Sequence, residues 1–570
     1  MKRLALITIF IALWTIIIPC FAAPNLEFEL EGIEGELLQN VTTKLQAKAK
    51  SIKTSDKEEV KNFYQKAPEE ITKILKLYGY FKPTITAQIP YYENDTWEGN
   101  FIVETGPSTK ITQIELKILG MGDKDQRIIH NLSKFPLKEG KVFQVENYNT
   151  AKQFLFDLAD EYGYVRAFLA DKEIQIDLDN NTAKIKLHLN TGPKYYFGKT
   201  SFNTAYFSEP FLRRFIKYRK GEQYSSKKIH LLQESLGNSN FFQRIDIKPH
   251  ITDKEPHEIP VEITLTRRKL RKYSFGAGFG TDTGIRGSAE TEFRYLTNSC
   301  HSFKGLVRGS QVQNNLELHY LIPGKDPSTD RYNISAAGET INIDKGKSMS
   351  GQFGVGYTTV IKNIQQTIQL NLQHERYKLE GQQYRSKTML LPSVNWLYTK
   401  KDHLTKPSKG YRINLNLQGT IDYILSANNF FQVELDTKYL HTFPTHTQIL
   451  LHAILGYTEI EDINKLPLSL QFYTGGTQSV RGFGYNTIGP GRNLAVGSVE
   501  LRQKVYGDWY IAGFYDVGNA NNDVLKKPNQ GVGVGIVWRT AIGALELTFA
   551  KAISKPGTPG MIQFSMGPEL

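Results

Sequence analysis

From about Tyr273 onward, apolar and polar residues alternate along the chain with a period of two. Segments 368–373, 411–418 and 431–439 each place apolar side chains on one face and polar side chains on the other. Roughly sixteen such segments follow one another over about three hundred residues, and no helical pattern separates them. This half of the chain is therefore predicted to form a large antiparallel β structure.

The chemistry of the polar face separates a soluble sandwich from a barrel. A soluble antiparallel sheet also alternates, so a single strand decides nothing. Here Gln, Asn, Glu, Lys and Arg recur too often for a dry core. A barrel in a membrane turns such residues toward a wet lumen and its apolar residues toward lipid. Tyr and Phe near strand ends fit interfacial girdles. The pattern favours a transmembrane barrel of about 16 antiparallel strands.

The N-terminal half mixes helical and strand patterns and contains internal repeats. Three short motifs recur at offsets of 86, 84 and 81 residues: Glu104-Thr105-Gly106-Pro107 as Asn190-Thr191-Gly192-Pro193, Tyr78-Gly79-Tyr80 as Tyr162-Gly163-Tyr164, and residues 139–143 as 220–224. A module of about eighty residues, used three times, accounts for these offsets. In the second copy, residues 110–119, 174–178 and 183–189 alternate as strands, while 148–162 has helical spacing. These repeats are predicted to be α+β.

The patterns predict five segments: a signal peptide at 1–22, repeats at 24–108, 109–192 and 193–266, and a barrel at 267–570. Lys2 and Arg3 precede an apolar run over 4–18, and small residues follow it. This order is typical of a cleaved secretory signal. Cleavage removes Cys20 and leaves Cys300 alone, so no internal disulfide is expected in the exported protein.

The charge balance points to a membrane surface rather than to nucleic acid. The chain has 70 Lys and Arg against 57 Asp and Glu, a net charge of +13. In an exported protein this surplus suits anionic lipid headgroups, although a solvated basic surface explains it too. Five cations lie where the repeats meet the barrel and are candidates for headgroup contact, with a solvated linker as the alternative: Arg267, Arg268, Lys269, Arg271 and Lys272.

Signals for catalysis or cofactor binding are missing from the sequence. The glycines around Gly278 lie in a strand pattern with no following helix, so they do not form a dinucleotide-binding turn. The twelve histidines show no metal-ligand spacing. The sequence therefore predicts a protein that is not an enzyme and uses neither a metal nor a cofactor. An enzyme with a Ser-His pair at the barrel rim is the alternative, but no pair can be assigned.

A cationic motif, Val480-Arg481-Gly482-Phe483, lies in a segment that reads as a long loop. Counting strands from a periplasmic N-terminus places it between strands eleven and twelve, as the sixth outer loop. Arg481 folded into the lumen would need a carboxylate partner. Asp516 on strand thirteen is the first choice and Glu500 on strand twelve the second. Gly482 would allow a tight turn. A solvated loop arginine is the alternative.

The repeats, the barrel pattern, the Arg481 motif and Phe514-Tyr515-Asp516-Val517-Gly518 together resemble the outer-membrane assembly-factor superfamily, which includes the BamA, TamA and two-partner secretion types. The repeats resemble its POTRA domains. Three repeats and the residues Gly567-Pro568-Glu569-Leu570 look most like the TamA type. The chain departs from the family in ending on Leu570 where the usual targeting signal has an aromatic residue. The resemblance implies that the motif 480–483 locks inside the barrel through Asp516.

The same resemblance implies a lateral gate between the first and last strands. Glycine and proline weaken strand pairing, and both occur in these strands. The candidate gate residues are Gly276, Gly278 and Gly280 in strand one and Phe564, Met566 and Gly567 in strand sixteen. Glycines that relieve barrel curvature are the alternative.

The resulting functional hypothesis is an outer-membrane insertase that helps to assemble and secrete autotransporter-type β-barrel proteins. The repeats would receive clients by β-augmentation at a sheet edge. The resemblance implies a TamB-like, inner-membrane-anchored partner that engages the first repeat. The alternatives are a two-partner-type pore for one dedicated substrate and a passive porin, which would need no periplasmic repeats.

Overall fold

The computed structural model describes residues 25–570 except 53, 55, 89, 94–95, 421–428, 524–526, 541–542, 568 and 570. The predicted signal peptide lies outside the described residues, as do Cys20, Pro568 and Leu570. The described chain forms two compact units. One contains the chain up to Thr200 together with Tyr218–Ile229 and Pro249–Val261, and the other contains Ser201–Lys217, His230–Lys248 and Glu262–Leu570.

The first α+β module has a sheet of order β1-β4-β2, with β3 paired to β4, and two helices. Its strands are β1 (Asn25–Glu31), β2 (Thr84–Ala87), β3 (Tyr91–Glu93) and β4 (Thr96–Glu104), and its helices are α1 (Gly35–Ala49) and α2 (Lys57–Leu77). Asp56 caps α2 by accepting hydrogen bonds from the backbone N–H groups of Glu58 and Glu59. Tyr64 and Phe101 stack in the core with ring centroids 5.4 Å apart.

The second module follows the strand, helices, strand, strand order that its sequence predicts. Its sheet has the order β5-β7-β6. The elements are β5 (Lys110–Leu119), α3 (Gln126–Asn131), α4 (Val145–Glu161), β6 (Phe168–Asp177) and β7 (Thr182–Asn190). Ala151, Leu155 and Leu158 are buried at the predicted helical spacing. β6 begins six residues before its predicted start, because the charged run 171–173 lies on an edge strand and hides the alternation.

The third module has a sheet of order β8-β10-β9. Its elements are β8 (Tyr196–Asn203), α5 (Glu209–Arg213), α6 (Ser226–Asn238), β9 (Phe242–Pro249) and β10 (Glu258–Arg267). None of the described helices has both the length and the apolar character needed to cross a bilayer.

The remaining chain closes into a barrel of sixteen strands, as predicted. Neighbouring strands of the barrel are antiparallel and follow one another in the chain. Between the eleventh and twelfth of them, the chain also forms a short separate hairpin, β22 (Phe472–Thr474) and β23 (Ile488–Gly491), which is not part of the barrel wall. The wall consists of β11 (Arg271–Gly280), β12 (Gly284–Phe293), β13 (Ser302–Gly309), β14 (Gln313–Pro323), β15 (Arg331–Ile343), β16 (Gly346–Ile361), β17 (Ile364–Leu379), β18 (Arg385–Lys401), β19 (Lys409–Thr420), β20 (Phe430–Thr442), β21 (Thr447–Ile460), β24 (Asn493–Tyr506), β25 (Trp509–Asn521), β26 (Asn529–Thr540), β27 (Gly543–Ala552) and β28 (Met561–Gly567).

The wall has an apolar outside and a polar inside. On β17, Ile368 and Leu370 are 48% and 41% exposed, whereas Asn371 is only 9% exposed. Inside, the Gln369 amide donates a hydrogen bond of 2.8 Å to Asn371. Trp509 and Trp538 stack on the outside with ring centroids 5.2 Å apart. This alternation is the one expected when lipid faces the apolar side and water the polar side.

Candidate functional site: the loop lock and the seam

Loop 6, residues 461–492, connects the eleventh and twelfth barrel strands and carries Arg481 into the lumen. Only 7% of Arg481 is exposed. Its Nε lies 2.8 Å from Asp516 Oδ2 and its Nη2 lies 2.9 Å from Oδ1. The backbone N–H of Arg481 also donates to Asp516 Oδ2 at 3.0 Å. The planar guanidinium fork thus meets both carboxylate oxygens, which is the strongest geometry for such a pair.

A second carboxylate completes the surroundings of the guanidinium. Arg481 Nη1 lies 2.5 Å from Glu500 Oε2. The Ser498 hydroxyl donates to Asp516 Oδ1 at 2.6 Å, and Phe514 presents its ring 3.4 Å below the guanidinium carbon. Asp516 is completely buried. Both candidate partners from the sequence therefore contact Arg481, and because each buried charge is paired, the desolvation cost of each is offset.

Glycines bring the backbone of loop 6 against the wall. Gly482 has φ +87°, and a Cβ there would lie 2.6 Å from the carbonyl carbon of Lys551. A Cβ on Gly531 of β26 would lie 1.9 Å from the Arg481 carbonyl oxygen. Only glycine fits this approach. Gly482 was predicted from the sequence, whereas Gly531 was not; its one signal there is the run of alternating glycines at 531, 533 and 535.

The flanks of the motif are apolar and buried. Val480 is fully buried and Phe483 is 5% exposed. They belong to a cluster with Phe472, Ile488, Leu494, Val496, Ala520 and Ala552. We refer to Val480, Arg481, Gly482 and Phe483, with their partners Asp516 and Glu500, as the loop lock.

The outer part of loop 6 is fastened at a second point. Glu375 of β17 is completely buried and accepts hydrogen bonds from the Ser469 hydroxyl and, at 3.2 Å, from the Ser469 backbone N–H. Gln373 adds a bond of 3.0 Å to the same carboxylate. Leu466 packs beside Met389 nearby. The sequence analysis missed Glu375, which shares the inward face of β17 with Gln373.

The boundary between β11 and β28, called the seam here, is sparsely paired. The described residues of these two strands share one register position, Gly280 with Gln563. By contrast, β11 pairs with β12 at ten positions and β27 with β28 at seven. The bonds near the seam collect at one end, where Thr281 donates to the Ile562 carbonyl at 3.2 Å and the Gln563 amide donates to Asp282 at 3.1 Å.

Beyond the pair formed by Gly280 and Gln563, the rest of β28 lies on the lumen side of β11. A Cβ on Gly278 would be 3.6 Å from the Phe564 ring, and one on Gly276 would be 4.0 Å from the Met566 methyl group. A cavity of about 360 Å³ is lined by these residues together with Gln478 of loop 6. Gly567 lines a second cavity of about 470 Å³ beside Arg481. Four of the six candidate seam residues are thus brought together: Gly276, Gly278, Phe564 and Met566. Gly280 pairs with Gln563, and Gly567 lines the second cavity. Arg286 joins the four by donating to the Phe564 carbonyl.

The basic cluster at the start of the barrel is divided by its contacts. Arg268 Nε donates to the Phe242 carbonyl at 3.0 Å. Arg267 lies over the Tyr206 ring at 5.4 Å and Arg271 over the Phe293 ring at 5.6 Å. Lys269 and Lys272 are exposed. Arg268 is therefore committed to a protein carbonyl, while contact of the other cations with lipid headgroups stays a prediction.

Within the described residues, no group of three or more His, Cys, Asp or Glu side chains is arranged to hold a metal ion. The buried carboxylates around the loop lock instead face arginines. Arg502, only 1% exposed, contacts Glu500 at 2.6 Å and Glu546 at 2.6 Å. It also contacts Glu569, just beyond β28, at 2.7 Å. Arg502 and Glu569 were not singled out from the sequence.

A sixteen-strand barrel with an arginine loop folded into its lumen, preceded by POTRA-type α+β modules, defines an outer-membrane barrel protein with periplasmic domains. Residues 277–569 match the Omp85 superfamily domain. The chain belongs to the Omp85 superfamily. Residues 27–105 match POTRA domain TamA domain 1, and residues 195–268 match a POTRA family described as a surface antigen variable number repeat. The barrel accordingly lies in the Gram-negative outer membrane and the modules lie in the periplasm.

Individual relatives are distant. The outer membrane protein assembly factor BamA of Nitratidesulfovibrio vulgaris is 20% identical over 534 residues, covering 86% of this chain and 66% of that protein. BamA of Neisseria meningitidis is 21% identical over 393 residues, covering 62% of this chain and 48% of that protein. The chain thus spans between about half and two thirds of the length of these relatives.

Solved structures agree on the fold. The crystal structure of BamA from Haemophilus ducreyi lacking POTRA domains 1–3 has a TM-score of 0.64 at 17% identity, and the match covers 80% of this chain and 98% of that one. CdiB from Acinetobacter baumannii has a TM-score of 0.50 at 14% identity, and the match covers 94% of this chain and 99% of that one.

Proposed function

We propose that this protein is an outer-membrane insertase that assists the assembly and secretion of autotransporter-type β-barrel proteins. Client strands would enter through the seam, which acts as a lateral gate, after docking on the POTRA modules. The loop lock would hold the barrel in its working shape. No catalytic step is required, because strand exchange trades one set of backbone hydrogen bonds for another.

The observation that carries this proposal is the single register pair of the seam, Gly280 with Gln563. An unpaired strand edge offers N–H and C=O groups in a row and is a template for an incoming strand. In lipid such groups are costly to leave unsatisfied, so the edge favours any strand that completes it. The described wall strands on either side of the seam are regularly paired, which confines this property to one boundary.

The TamA-type character of the proposal rests on the first module. Residues 27–105 match the first POTRA domain of TamA. We therefore propose a TamB-like, inner-membrane-anchored partner that docks on this module. Deletion of residues 27–105 should abolish binding to such a partner while the barrel remains folded.

A disulfide across the seam tests the gate. Cysteines replacing Gly280 and Gln563, the one registered pair, should crosslink on oxidation. Insertion of an autotransporter-type client into liposomes that contain the crosslinked protein should stop, and reduction should restore it. A matched link between β11 and its other neighbour, with cysteines at Ala277 and Gly287, should leave insertion intact. Full insertion by an efficiently crosslinked seam would overturn the proposal.

The alternative is a two-partner-type pore that exports one dedicated substrate. In the structure described here, loop 6 occupies the lumen and Arg481 is buried there, so export would require the loop to leave. The same liposomes separate the two functions: an insertase inserts a barrel client into the bilayer, whereas an exporter releases a soluble client across it. A large steady conductance without any effect on clients would instead favour a passive porin.

A further inference from the structure

Glu569 occupies an unusual place for a residue that follows the last barrel strand. Its side chain is 3% exposed and lies between two arginines on other strands. Arg502 Nη1 of β24 is 2.7 Å from Glu569 Oε1, and Arg539 Nε of β26 is 3.0 Å from Oε2. The carboxylate therefore reaches past β27, the neighbour of β28, to the twelfth and fourteenth strands of the wall.

These arginines are themselves fixed in place. Arg502 also contacts Glu546 of β27 at 2.6 Å and Glu500 at 2.6 Å. Arg539 Nη2 donates to the Pro407 carbonyl at 2.5 Å. Within the described part of the chain, Arg539 has no ion-pair partner besides Glu569. Arg481, Glu500, Arg502, Glu569 and Arg539 thus form an unbroken series of buried ion pairs, which joins the loop lock to the end of the last strand.

Glu569 lies beyond the end of β28 that does not pair with β11. Continued from Gly280 and Gln563, a regular antiparallel register would place Ala277 opposite Met566. Instead the Met566 methyl group lies near the inward-facing Gly276 and lines the lumen beside Arg481. Gly567, the last residue of β28, still pairs with Ala544 of β27 and lines the same cavity.

We propose that Glu569 is a positioning residue that holds the end of β28 inside the barrel and thereby keeps the seam unpaired. Two opposing effects act on β28. Pairing with β11 would satisfy the open backbone groups of both strands, which favours a closed seam. The two buried ion pairs of Glu569 can form only while the strand end lies over the lumen, which favours an open seam. The open seam described here is the state in which the ion pairs are made.

This inference concerns the geometry of the barrel and does not depend on the proposed function, since its test contains no client. Cysteines replacing Ala277 and Met566 would be opposite each other only in a zipped seam. In the protein with native Glu569, the oxidised crosslink should form in low yield. In Glu569→Gln, which keeps the shape of the side chain and removes its charge, the yield should rise several-fold. Variants with only one of the two introduced cysteines show whether the buried Cys300 forms crosslinks of its own.

Glu546→Gln is the matched control. It also removes a carboxylate from Arg502, with a contact of 2.6 Å against 2.7 Å for Glu569. Glu546 lies within β27, however, and its side chain reaches β28 only through a long hydrogen bond of 3.4 Å from the Ser565 hydroxyl. Its crosslink yield should stay at the native level. Heat-modifiable migration on gels verifies that each barrel is folded. Equal yields for Glu569→Gln and Glu546→Gln, or no rise in either, would overturn the proposal.

A second variant covers the case in which Glu569→Gln does not fold. Arg539→Gln removes one of the two ion pairs from the opposite side and should raise the yield by a smaller factor. Tyr510→Phe is its control, because it keeps the ring that lies 5.8 Å from the Arg539 guanidinium and removes only the hydroxyl at 3.5 Å. A yield for Arg539→Gln that does not exceed that of Tyr510→Phe would also overturn the proposal.

Discussion

At the scale of single residues, the loop lock buries three charged side chains, and each of them loses its hydration. Arg481, Glu500 and Asp516 are at most 7% exposed, so each charge depends on its neighbours for compensation. Arg481 meets Asp516 through a two-pronged contact and Glu500 through its remaining nitrogen. Such groups contribute specificity of position more reliably than net stability. Removing one member of a pair should therefore cost nearly as much as removing both members.

A double-mutant cycle measures this dependence. Arg481→Ala and Asp516→Ala should each lower the free energy of unfolding by about 3–5 kcal/mol, because each removes one partner of a buried ion pair. The double variant should be scarcely worse than either single variant. Urea unfolding in lipid vesicles provides the measurement. Additive losses would mean that the two side chains do not act as a pair.

Gly531 provides a steric test of the same contact. In Gly531→Ala the new methyl group would meet the Arg481 carbonyl at 1.9 Å, so the loop backbone must move. Overpacking of this kind costs about 1–3 kcal/mol. The expected result is faster cleavage of loop 6 by trypsin and a lower unfolding midpoint. Gly513→Ala on β25 is the control, since nothing lies within 4 Å of its Cβ position. Equal behaviour of the two variants would contradict the close approach.

At the scale of elements, the second module and the start of the third are tied by one carboxylate. Asp125, the N-cap of α3, accepts from Arg127 Nη2 at 2.7 Å and from Lys194 Nζ at 3.0 Å. Tyr164 donates to it as well, at 3.2 Å. Arg127 and then Lys194 hold the pKa of Asp125 well below its usual range. Burial and the Asp125 charge raise the pKa of Tyr164 to about 12.

This pKa shift predicts a pH dependence of module stability. A carboxylate with a lowered pKa in the folded state stabilises fully above its ordinary pKa near 4, and this contribution is lost as the pH falls below that value. Asp125→Asn should therefore destabilise the modules fully at pH 7, and its effect should shrink progressively only as the pH falls below about 4, toward the lowered pKa of the folded state. Urea unfolding followed by helical circular dichroism reports on the modules, because all described α-helices lie in them. Asp179→Asn, a largely exposed control, should change neither curve.

At the scale of the whole molecule, the two faces of the barrel wall obey different rules. Leu370 faces outward and Gln369 faces the polar interior, although they are neighbours in β17. Charge is costly on the lipid side and tolerated in the wet lumen. A substitution therefore reports on which side of the wall a residue lies.

Leu370→Arg should destabilise the folded barrel in lipid vesicles by up to about 2–4 kcal/mol, depending on depth. Gln369→Arg, its inward-facing control, should change the free energy of unfolding by much less. Folding efficiency into vesicles, followed by urea unfolding, measures both. A larger loss for Gln369→Arg would invert the assignment of the two faces.

Much of this fold follows from local patterns in the sequence, because the alternation of apolar and polar residues shows which face of each barrel strand points outward and which points inward. Arg481 and its partners could be anticipated since a cation in a polar lumen requires a carboxylate. Glu569 could not, because it lies beyond the last strand and its partners are 30 and 67 residues away. Gly531 and Glu375 likewise acquire their roles only from the path of loop 6, which no local pattern specifies.

The order of the lock along the chain has a consequence for biogenesis. Ser498, Glu500 and Asp516, the side chains that receive Arg481, all follow loop 6 in sequence, and Gly531 and Lys551 come later still. In a nascent barrel that has formed only its first eleven strands, the strands that supply the partners of Arg481 are therefore still missing. Arg481 must remain solvated until the final third of the wall has formed. Closure of the barrel and fastening of the loop are thus one late, long-range event, and the slow steps of assembly should be found there.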